Sequence, residues 1–392
     1  MLKKKSEFKD DRGQKNVTFI CKTDLNTDGR VLNQLNILRD SFKNITIDFI
    51  LLPDEDIRIA FDNGIRIHPI KCKIRNRRLL RFITVCEWTI KATRKLFKIN
   101  PQILHVQDSA VVLPVLIYLY LGGKPFVIYD DHELPNENEP IYKKLWNWLE
   151  IQLMKRADTV IFANQERLEY ARARYKLSNK LIFFLNLPYT KDATPVITNE
   201  STHLSTILDI DREIESGTHF IMHQGPLKHE RGRNIIARLS RILPDGYKIL
   251  LVGGSLDDFK RFCRTLRLDV EKFYFVGTVP YDLLPTYWEK VIASIVIYLP
   301  TYVNNRLCAP NRLYLSFFKG VPLIVNKSNP VLRKFIEDYH AGIFIEDAHE
   351  SNIRDLLPRH RGLFSTNIQE MKDSLLTQER EKILSLYRNQ LD

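Results

Sequence analysis

The sequence predicts an α/β protein in which two doubly wound domains each contain a parallel sheet. Its 392 residues are enough for two domains of ordinary size. The composition, 44% hydrophobic and 27% charged, is that of a folded protein. Short β-rich runs alternate with longer helical patterns along most of the chain, as in strands joined by crossover helices. Two such sheets imply a cleft between the domains, with ligands at the carboxyl ends of the strands.

The first domain is expected to span residues 1–190. Its strand candidates are short apolar runs, at 17–21, 46–52, 65–70, 103–106, 126–129, 159–163 and 181–185. Longer amphipathic patterns fill the gaps and predict helices at 29–41, 77–98, 109–121, 140–156 and 165–175.

Between residues 188 and 217 the pattern lapses into Thr, Asn, Ser and Asp, so 191–217 is interpreted as a linker. The alternation restarts in a second domain, expected over 218–365. Its strands are predicted at 220–223, 248–252, 273–276, 294–298 and 322–325. Its helices are predicted at 234–243, 256–266, 282–290, 310–319 and 330–339. The final segment, 366–392, contains a charged helix that is expected to return to the first domain.

The charge distribution narrows the classes of partner. The chain has 59 basic and 47 acidic residues, and its formal net charge of +12 favours nucleic acid, anionic lipid or phosphorylated substrates as partners. Residues 71–98 hold ten Lys or Arg and one Glu, a local charge of +9. No known nucleic-acid-binding module accompanies this cluster, so a nucleic-acid partner is not expected.

Cysteine usage and hydropathy indicate the compartment. The five cysteines are widely spaced and form no Cys-x-x-Cys pair, which argues against a disulfide framework or a zinc site and favours a reducing cytoplasm. The basic start of the chain lacks the apolar core of a signal peptide. The longest uncharged stretch, 109–123, is shorter than the roughly twenty residues of a spanning helix. We therefore expect a cytoplasmic protein, soluble or peripheral on a membrane.

Polar and titratable residues follow several predicted strands of the first domain. Asp28, Gly29 and Arg30 follow the first strand and open a helix, whose N–H groups favour anions or acceptor hydroxyls. A plain strand-to-helix turn is the alternative interpretation. Two further groups end hydrophobic strands, where polar residues suit a ligand site better than a core. These residues are His105, Asp108, Asp130, His132 and Glu133.

Cations follow the first predicted strand of the second domain. Gly225 opens a loop with three of them, and a glycine with clustered cations is how a loop binds phosphate groups. The loop cations are Lys228, Arg231 and Arg233. Residues 310–312, Pro-Asn-Arg, open a later helix. Proline at the first helical position leaves the neighbouring free N–H groups for a ligand such as a diphosphate.

In this order along the chain, the motifs resemble those of the retaining, family 4 (group 1) glycosyltransferases of the GT-B fold. The most similar branch is bacterial, of the polysaccharide and lipopolysaccharide type. Its aspartate-x-arginine-valine, tyrosine-aspartate-x-histidine-glutamate and glycine…arginine-glycine elements correspond here to 28–31, 129–133 and 225–232. The resemblance covers roughly residues 16–345. It implies two Rossmann-like domains facing across a cleft, the first for the acceptor and the second for a nucleotide sugar.

The resemblance also implies roles for individual residues. His132, with Asp130, is placed beside the transferring sugar, and Arg231 takes the position of a phosphate-binding lysine, where an arginine can bind phosphate bidentately. These three form the implied catalytic set. The implied donor-binding residues are Gly225, Lys228, Arg233, Gly253, Pro310, Asn311, Arg312 and Leu315. The implied acceptor-side residues are Asp28, Gly29, Arg30, His105, Asp108 and Glu133.

The chain departs from the family pattern at two places. A second phosphate-binding arginine of the family is Pro226 here, so Lys228 or Arg233 would have to replace it. The glutamate that binds the nucleotide ribose corresponds to Leu315, and its paired glutamate corresponds to Leu307. Either the nucleotide site is altered or the donor is unusual, and a deoxyribose donor becomes an option beside a UDP- or GDP-sugar.

The family pattern predicts transfer of a hexosyl or N-acetylhexosaminyl unit from a nucleotide-diphosphate sugar to a glycan or lipid-linked acceptor in surface polysaccharide synthesis, with retention. No metal or other cofactor is expected, because no Asp-x-Asp is placed to hold a metal and cations can stabilise the leaving diphosphate. Two alternatives stay open: an inactive homologue that only binds the donor, and a sugar-nucleotide epimerase.

The helix predicted over 77–98 is amphipathic, and we expect it to contact an anionic membrane surface on the inner face of the cell membrane. An ordinary solvated helix face is the alternative. The stripe expected to face outward comprises Arg77, Arg81, Trp88, Lys91, Lys95 and Lys98. The stripe expected to be buried comprises Leu79, Ile83, Cys86, Ile90 and Phe97.

Overall fold

The computed structural model describes residues 15–23, 25, 28–54, 56–57, 64–73, 81–135, 141–188, 201–279, 283–349, 353 and 368–391. They form two compact units. One holds the described residues up to Phe184 and those from Arg380 onward, and the other holds Leu185–Glu379. Each unit is built on one parallel sheet whose strands alternate with helices, which confirms the predicted fold class.

The sheet of the first unit has seven strands in the order β3-β2-β1-β4-β5-β6-β7. Chain order reverses between β1 and β4, and ligands of open α/β sheets bind at such a switch point. The strands are β1 Lys15–Cys21, β2 Ile45–Leu51, β3 Ile65–Pro69, β4 Ile103–Gln107, β5 Phe126–Asp131, β6 Thr159–Phe162 and β7 Lys180–Phe183. The helices are α1 Gly29–Ser41, α2 Arg81–Ile99, α3 Val112–Tyr120, α4 Ile141–Arg156 and α5 Gln165–Tyr175, with a 3-10 turn at Ser109–Val111.

The sheet of the second unit has six strands in the order β10-β9-β8-β11-β12-β13, so it repeats the order of the first, with its switch point between β8 and β11. The strands are β8 His219–Gln224, β9 Tyr247–Val252, β10 Phe273–Gly277, β11 Val291–Val296, β12 Leu323–Val325 and β13 Gly342–Phe344. The helices are α6 Ser201–Glu215, α7 Arg233–Ile242, α8 Leu256–Leu266, α9 Leu284–Trp288, α10 Val303–Arg306, α11 Asn311–Phe318, α12 Pro330–Tyr339 and α13 Ile368–Leu391, with 3-10 turns at His229–Arg231, Val270–Lys272 and Ile345–Asp347.

The core of the first unit includes side chains from the end of the chain. Phe19 and Phe49 stack on neighbouring strands, with 4.9 Å between their ring centroids. The second half of α13 packs into the same cluster through Ile383, Leu386 and Tyr387. The helix therefore returns to the first domain as predicted, because its apolar side chains complete that domain's core.

Several elements differ from the sequence-based prediction. Helix α6 lies inside the segment interpreted as a linker. Its spaced apolar side chains pack on the second sheet through Ile210, which is fully buried against Phe220 and Met222. Strand β5 continues to Asp131 because Gln107 and Phe162 on the neighbouring strands extend the pairing. The short elements α10 and β13 were also missed.

Helix α2 buries a different face from the one predicted, so the assignment of its buried stripe was wrong, whereas Lys98 is exposed as expected. Trp88 is only 3% exposed, whereas Ile90 is 51% exposed. The buried face consists of Trp88, Thr89, Ala92, Thr93 and Leu96. This face packs against α3, where Thr93 donates a hydrogen bond to the Pro114 carbonyl. Residues 74–80, including Arg77 and Leu79, lie outside the described part of the chain.

None of the helices in the described ranges is both long enough and apolar enough to cross a membrane.

Candidate active site

Asp130 and Arg30 form a buried ion pair at the carboxyl end of the first sheet. Asp130 pairs with Gln107 across β4 and β5, and Arg30 lies in the first turn of α1. Nη2 of Arg30 is 2.6 Å from a carboxylate oxygen of Asp130. Burial alone would raise the pKa of Asp130, but the charges of Arg30 and His132 outweigh it and lower the pKa to about 2. Asp130 is therefore an anion, which can only accept hydrogen bonds.

A chain of hydrogen bonds connects Asp130 to His132. Gln34 donates its Nε2 to Asp130 at 2.6 Å, and Gln107 donates its Nε2 to Oε1 of Gln34 at 2.6 Å. Oε1 of Gln107 lies 2.9 Å from Nε2 of His132. Because Asp130 only accepts, each amide has one possible orientation, and His132 must donate its Nε2 proton. We call Asp130, Gln34, Gln107 and His132 the carboxylate–histidine relay.

The relay fixes the tautomer of His132. In the neutral ring the proton is on Nε2, so Nδ1 offers a lone pair, and it has no hydrogen-bond partner among the residues that the structure describes. The imidazole is 27% exposed, whereas the other relay side chains are buried. Arg167 donates to the His132 carbonyl at 2.6 Å and so holds the backbone. The result is a fixed ring that can accept a hydrogen bond from a ligand hydroxyl.

A second group of acids lies behind His132. Asp131 is fully buried, and its carboxylate oxygens have no hydrogen-bond partner among the described residues. Burial raises the pKa of Asp131, and the charge of Arg167 offsets this only in part. Burial and the charge of Asp131 also raise the pKa of Glu150, which accepts a hydrogen bond from the Tyr129 hydroxyl. This group favours protonated carboxyls, so it adds little negative charge beside the relay.

Other residues predicted for the acceptor side occupy structural positions or the surface. Asp28 caps α1 by accepting a hydrogen bond from the third residue of the helix, which Gly29 begins. Asp108 caps the 3-10 turn after β4 by accepting from the N–H of Ser109 at 2.7 Å. Glu133 is exposed beside the relay. The structure thus brings Arg30, Asp130 and His132 together. Asp28 and Asp108 instead cap a helix and a 3-10 turn.

His105 lies in the middle of β4 rather than at its end. Its ring stacks on Phe19 and is fully buried, and its Nδ1 is hydrogen bonded to the Tyr387 hydroxyl. Burial lowers the pKa of His105 to about 4, so the ring is neutral. These surroundings are those of a core residue.

Glycines bring the two central loops of the second unit into contact. A Cβ on Gly253 would lie 3.2 Å from the backbone of Gly225, and Gly253 has a φ of +105°. At Gly232, with a φ of +78°, a Cβ would lie 2.4 Å from the side chain of Ile297. Both positions therefore require glycine. They let the loop after β8 lie flat against the ends of β9 and β11.

Two arginines stack on one tyrosine at the carboxyl end of β11. The guanidinium carbons of Arg231 and Arg312 lie 3.9 and 5.1 Å from the ring centroid of Tyr298. Arg312 is buried and donates to the backbone carbonyls of Gln224 and Ile297, so it ties β8 to β11. Burial and the charge of Arg312 lower the pKa of Arg231. Two like charges held together on one ring need a compensating anion.

The loop after β8 holds two further cations beside Arg231. Lys228, Arg231 and Arg233 form no ion pair with any residue that the structure describes. Helix α7 begins at Arg233 and α11 begins at Asn311, and neither N-terminus has a side-chain cap. By contrast, Ser255 and Asn329 cap α8 and α12. Free cations and uncapped helix N-termini together form an anion-binding surface. We call Lys228, Arg231 and Arg233 the cation cluster.

The remaining donor-side residues lie near α11. Pro310 is its N-cap, and Asn311 is exposed at its first position. Leu315 is half-buried and packs against the apolar cluster of the second sheet that contains Phe220. Leu307 is buried at the end of α10. Neither leucine can accept a hydrogen bond from a ribose hydroxyl.

Sequence reasoning missed Gln34, Gln107 and Tyr298. Gln34 lies one helical turn after Arg30, on the same face of α1, so spacing could have identified it. Tyr298 follows the end of β11 at the switch point, where position alone makes a side chain a candidate. Gln107 lies between His105 and Asp108 in the sequence, but its role depends on contacts that only the fold creates.

Comparison with protein-family models gives no match, and comparison of the sequence with curated proteins gives none either. Solved structures do match. The chain is similar to sucrose-phosphate synthase from Thermosynechococcus elongatus, with a TM-score of 0.70 and 13% identity, over 96% of this chain and 99% of the other. It is similar to HepE from Anabaena, solved in complex with UDP and glucose, with a TM-score of 0.66 and 14% identity, over 96% and 100% of the two chains.

A third similar structure is WaaG, a glycosyltransferase involved in lipopolysaccharide biosynthesis, with a TM-score of 0.63 and 10% identity, over 94% of this chain and 99% of the other. At such low identity these likenesses show the fold alone. The chain has the two Rossmann-like domains of the GT-B glycosyltransferase fold.

Proposed function

We propose that this protein is a glycosyltransferase that moves a sugar from a nucleotide diphosphate to an acceptor hydroxyl. The observation that most supports this is the cation cluster, three unpaired basic side chains on a glycine loop at the switch point of the second sheet. A diphosphate supplies the anion that these side chains lack. As the leaving group gains charge, fixed cations and helix N–H groups stabilise it without reorganising.

The proposed donor is a UDP-sugar, and GDP- and dTDP-sugars are the alternatives. The similar chain of HepE was solved with UDP and glucose. Leu315 offers no hydrogen-bond acceptor to the ribose, so ribose recognition is proposed to be weak. The identity of the sugar, hexosyl or N-acetylhexosaminyl, is left to the experiment.

His132 is proposed to orient the transferring sugar. Its Nε2 proton is committed to Gln107. Nδ1 can therefore accept a hydrogen bond from a sugar hydroxyl, which keeps the reacting carbon aligned with the acceptor. Transfer is proposed to retain the anomeric configuration and to need no metal, as the family resemblance of the motifs implies.

The acceptor is proposed to be a glycan or a lipid-linked glycan of a surface polysaccharide, met at the cytoplasmic face of the membrane. Helix α2 supports this, because Phe82 and Ile90 are 77% and 51% exposed and are followed on the same helix by exposed Arg94 and Lys98. Apolar and basic side chains on one exposed helix are typical of interfacial helices. The surface differs from the one expected from sequence, since apolar rather than basic side chains dominate it.

Vesicle co-sedimentation tests the membrane part. Binding should require anionic lipid and should fall when Phe82→Ser and Ile90→Ser are combined, or when Arg94→Glu and Lys98→Glu are combined. The double change Lys260→Glu with Arg264→Glu, on exposed α8, is the control and should bind as wild type. Equal binding of all variants, or none at low salt, would remove the membrane from the proposal.

Incubation with a panel of UDP-, GDP- and dTDP-sugars tests the transferase itself. Release of a nucleoside diphosphate from one donor, raised by an acceptor glycan and lost in a folded His132→Ala variant, is the expected result. Binding of the donor without release would favour an inactive homologue. Conversion to an epimeric nucleotide sugar without release would favour an epimerase.

A further inference from the structure

The first unit has a pocket that is separate from the relay. It has a volume of about 360 Å³ and is formed by one face of α4 and the end of α5. None of its lining residues belongs to the relay. Its volume falls in the range of small-molecule sites. The residues that matter below are Lys144, Trp148, Ile151, Lys155, Tyr175 and Lys176.

The α4 side of the pocket is a single stripe of alternating character. Lys144, Trp148, Ile151 and Lys155 are spaced by four, three and four residues, so they lie on one helical face. Trp148 is 54% exposed, which is unusual for an indole. The pocket thus has an aromatic surface with an ammonium group on either side of it along the helix.

The end of α5 forms another wall of the pocket and adds positive charge. Tyr175 is buried and donates its hydroxyl to the Pro135 carbonyl at 3.3 Å, which fixes the wall. Lys176 caps α5, and Arg174 also lines the pocket. No acidic residue is among the lining residues that the structure describes. Lys144, Lys155 and Lys176 form no ion pair with any residue in the described ranges.

We propose that this pocket binds an anionic sugar, a pyranose that carries a phosphate or a carboxylate. The apolar face of a pyranose ring can lie on the exposed indole of Trp148, as apolar ligand surfaces do on aromatic side chains. The lysines then hold the anionic substituent. A flat membrane surface fits less well, because the cations surround a concavity rather than project from one plane. The proposal does not depend on transferase activity, since binding needs no donor.

Fluorescence titration and calorimetry on the full chain test the proposal with four probes: glucose 6-phosphate, glucuronic acid, glucose and inorganic phosphate. The two anionic sugars should bind saturably and shift the tryptophan emission. Glucose and phosphate alone should each bind about tenfold more weakly or worse, because each satisfies only half of the site. A difference between the two anionic sugars identifies the substituent.

Variants locate the binding. Trp148→Ala and Lys155→Glu should each weaken glucose 6-phosphate binding by about tenfold. Lys124→Glu, at an exposed position away from the pocket, is the matched control and should bind as wild type. Both pocket positions are exposed, so unchanged melting temperatures are expected and confirm folding. The proposal is overturned if glucose binds as well as its phosphate, if the variants bind normally, or if only anionic vesicles bind.

Discussion

The relay and the cation cluster differ in how their charged side chains are paired. In the relay, Asp130 is neutralised by Arg30 inside the protein, and every donor between it and His132 has a partner. In the cation cluster, Lys228, Arg231 and Arg233 have no acidic partner in the described ranges. Both lie at the switch point of a sheet with the same strand order.

The relay and the cation cluster therefore differ in whether they are complete without a ligand. The relay holds the ring of His132 in one orientation, with Nε2 hydrogen bonded to Gln107, whether or not a ligand is present. The cation cluster is incomplete until an anion arrives, and its like charges destabilise the free protein. The comparison predicts that removing the buried charge of Asp130 harms folding, whereas removing a charge of the cation cluster harms binding.

The largest expected effect is on stability, from Asp130→Asn. The substitution keeps the shape but leaves the charge of Arg30 buried without its partner, at a cost of about 3–5 kcal/mol. Urea denaturation measures it. Asp40→Asn, which removes an exposed partner of Arg380, should leave the midpoint unchanged. Equal effects of the two changes on the urea midpoint would contradict the special contribution of the buried Asp130–Arg30 pair to stability.

Arg231→Ala should act in the opposite way. It removes a repulsive contact with Arg312, so stability should hold or rise slightly, while UDP binding should weaken by about 10- to 100-fold. Calorimetry with UDP and thermal melting measure the two quantities. Arg264→Ala, exposed on α8, is the control. A loss of stability without a loss of UDP affinity would make Arg231 a structural residue.

The pH dependence of stability should come from the first unit. The pKa of Asp131 is raised in the folded state, so its contribution is full below the ordinary carboxyl pKa and is lost as pH rises toward the raised value. Melting temperature should therefore fall from mildly acidic to mildly alkaline pH. Asp131→Asn should flatten that dependence and gain on the order of 1–2 kcal/mol at pH 8. A variant that is less stable at pH 8 would show that the charged form is the favoured one.

Gln107→Leu should slow turnover about tenfold with little change in the donor KM, because it frees the ring of His132 without touching the donor. The ¹⁵N spectrum of His132 supplies the specific readout. Wild type should show the Nε2–H tautomer, and the variant a mixture. Gln165→Leu, on exposed α5, should change neither. An unchanged tautomer would leave the relay without a role in orienting the ring.

The smallest expected effect concerns the ribose. UDP and dUDP should bind with affinities within about threefold of each other, since Leu315 cannot distinguish a ribose hydroxyl from hydrogen. Leu315→Glu should restore a preference for UDP. If the substitution alters neither affinity in a folded protein, Leu315 does not line the ribose pocket.

The fold was predictable because it depends on patterns that repeat. Buried parallel strands such as β4 and β8 read as apolar runs, and the helices between them as amphipathic stretches. Prediction failed where local signals are weak. Helix α6 is attached to its sheet mainly by Ile210, and α2 buries two threonines beside Trp88 and Leu96 while exposing Phe82 and Ile90. Hydrophobicity alone cannot reveal which face has a neighbour.

The site was predictable in its charged positions and not in its connections. His132 directly follows a strand and Arg231 lies in the loop after one, so their positions in the sequence make them candidates. That Arg30 would neutralise Asp130, and that two glutamines would connect Asp130 to His132, depends on residues 25 to 100 positions apart meeting in space. The position of His105 misled, because a histidine near a strand end can equally lie inside the core.

The return of α13 has a consequence for synthesis on the ribosome. Tyr387 fills the first unit's core and contacts His105, which is made 282 residues earlier. Most of the first unit is therefore translated before Leu185–Glu379, but its core cannot be completed until α13 has left the exit tunnel. The segment Leu185–Glu379 has its own sheet and clusters, so it can complete its structure sooner. The first sheet therefore has its full core only after the second sheet has been translated.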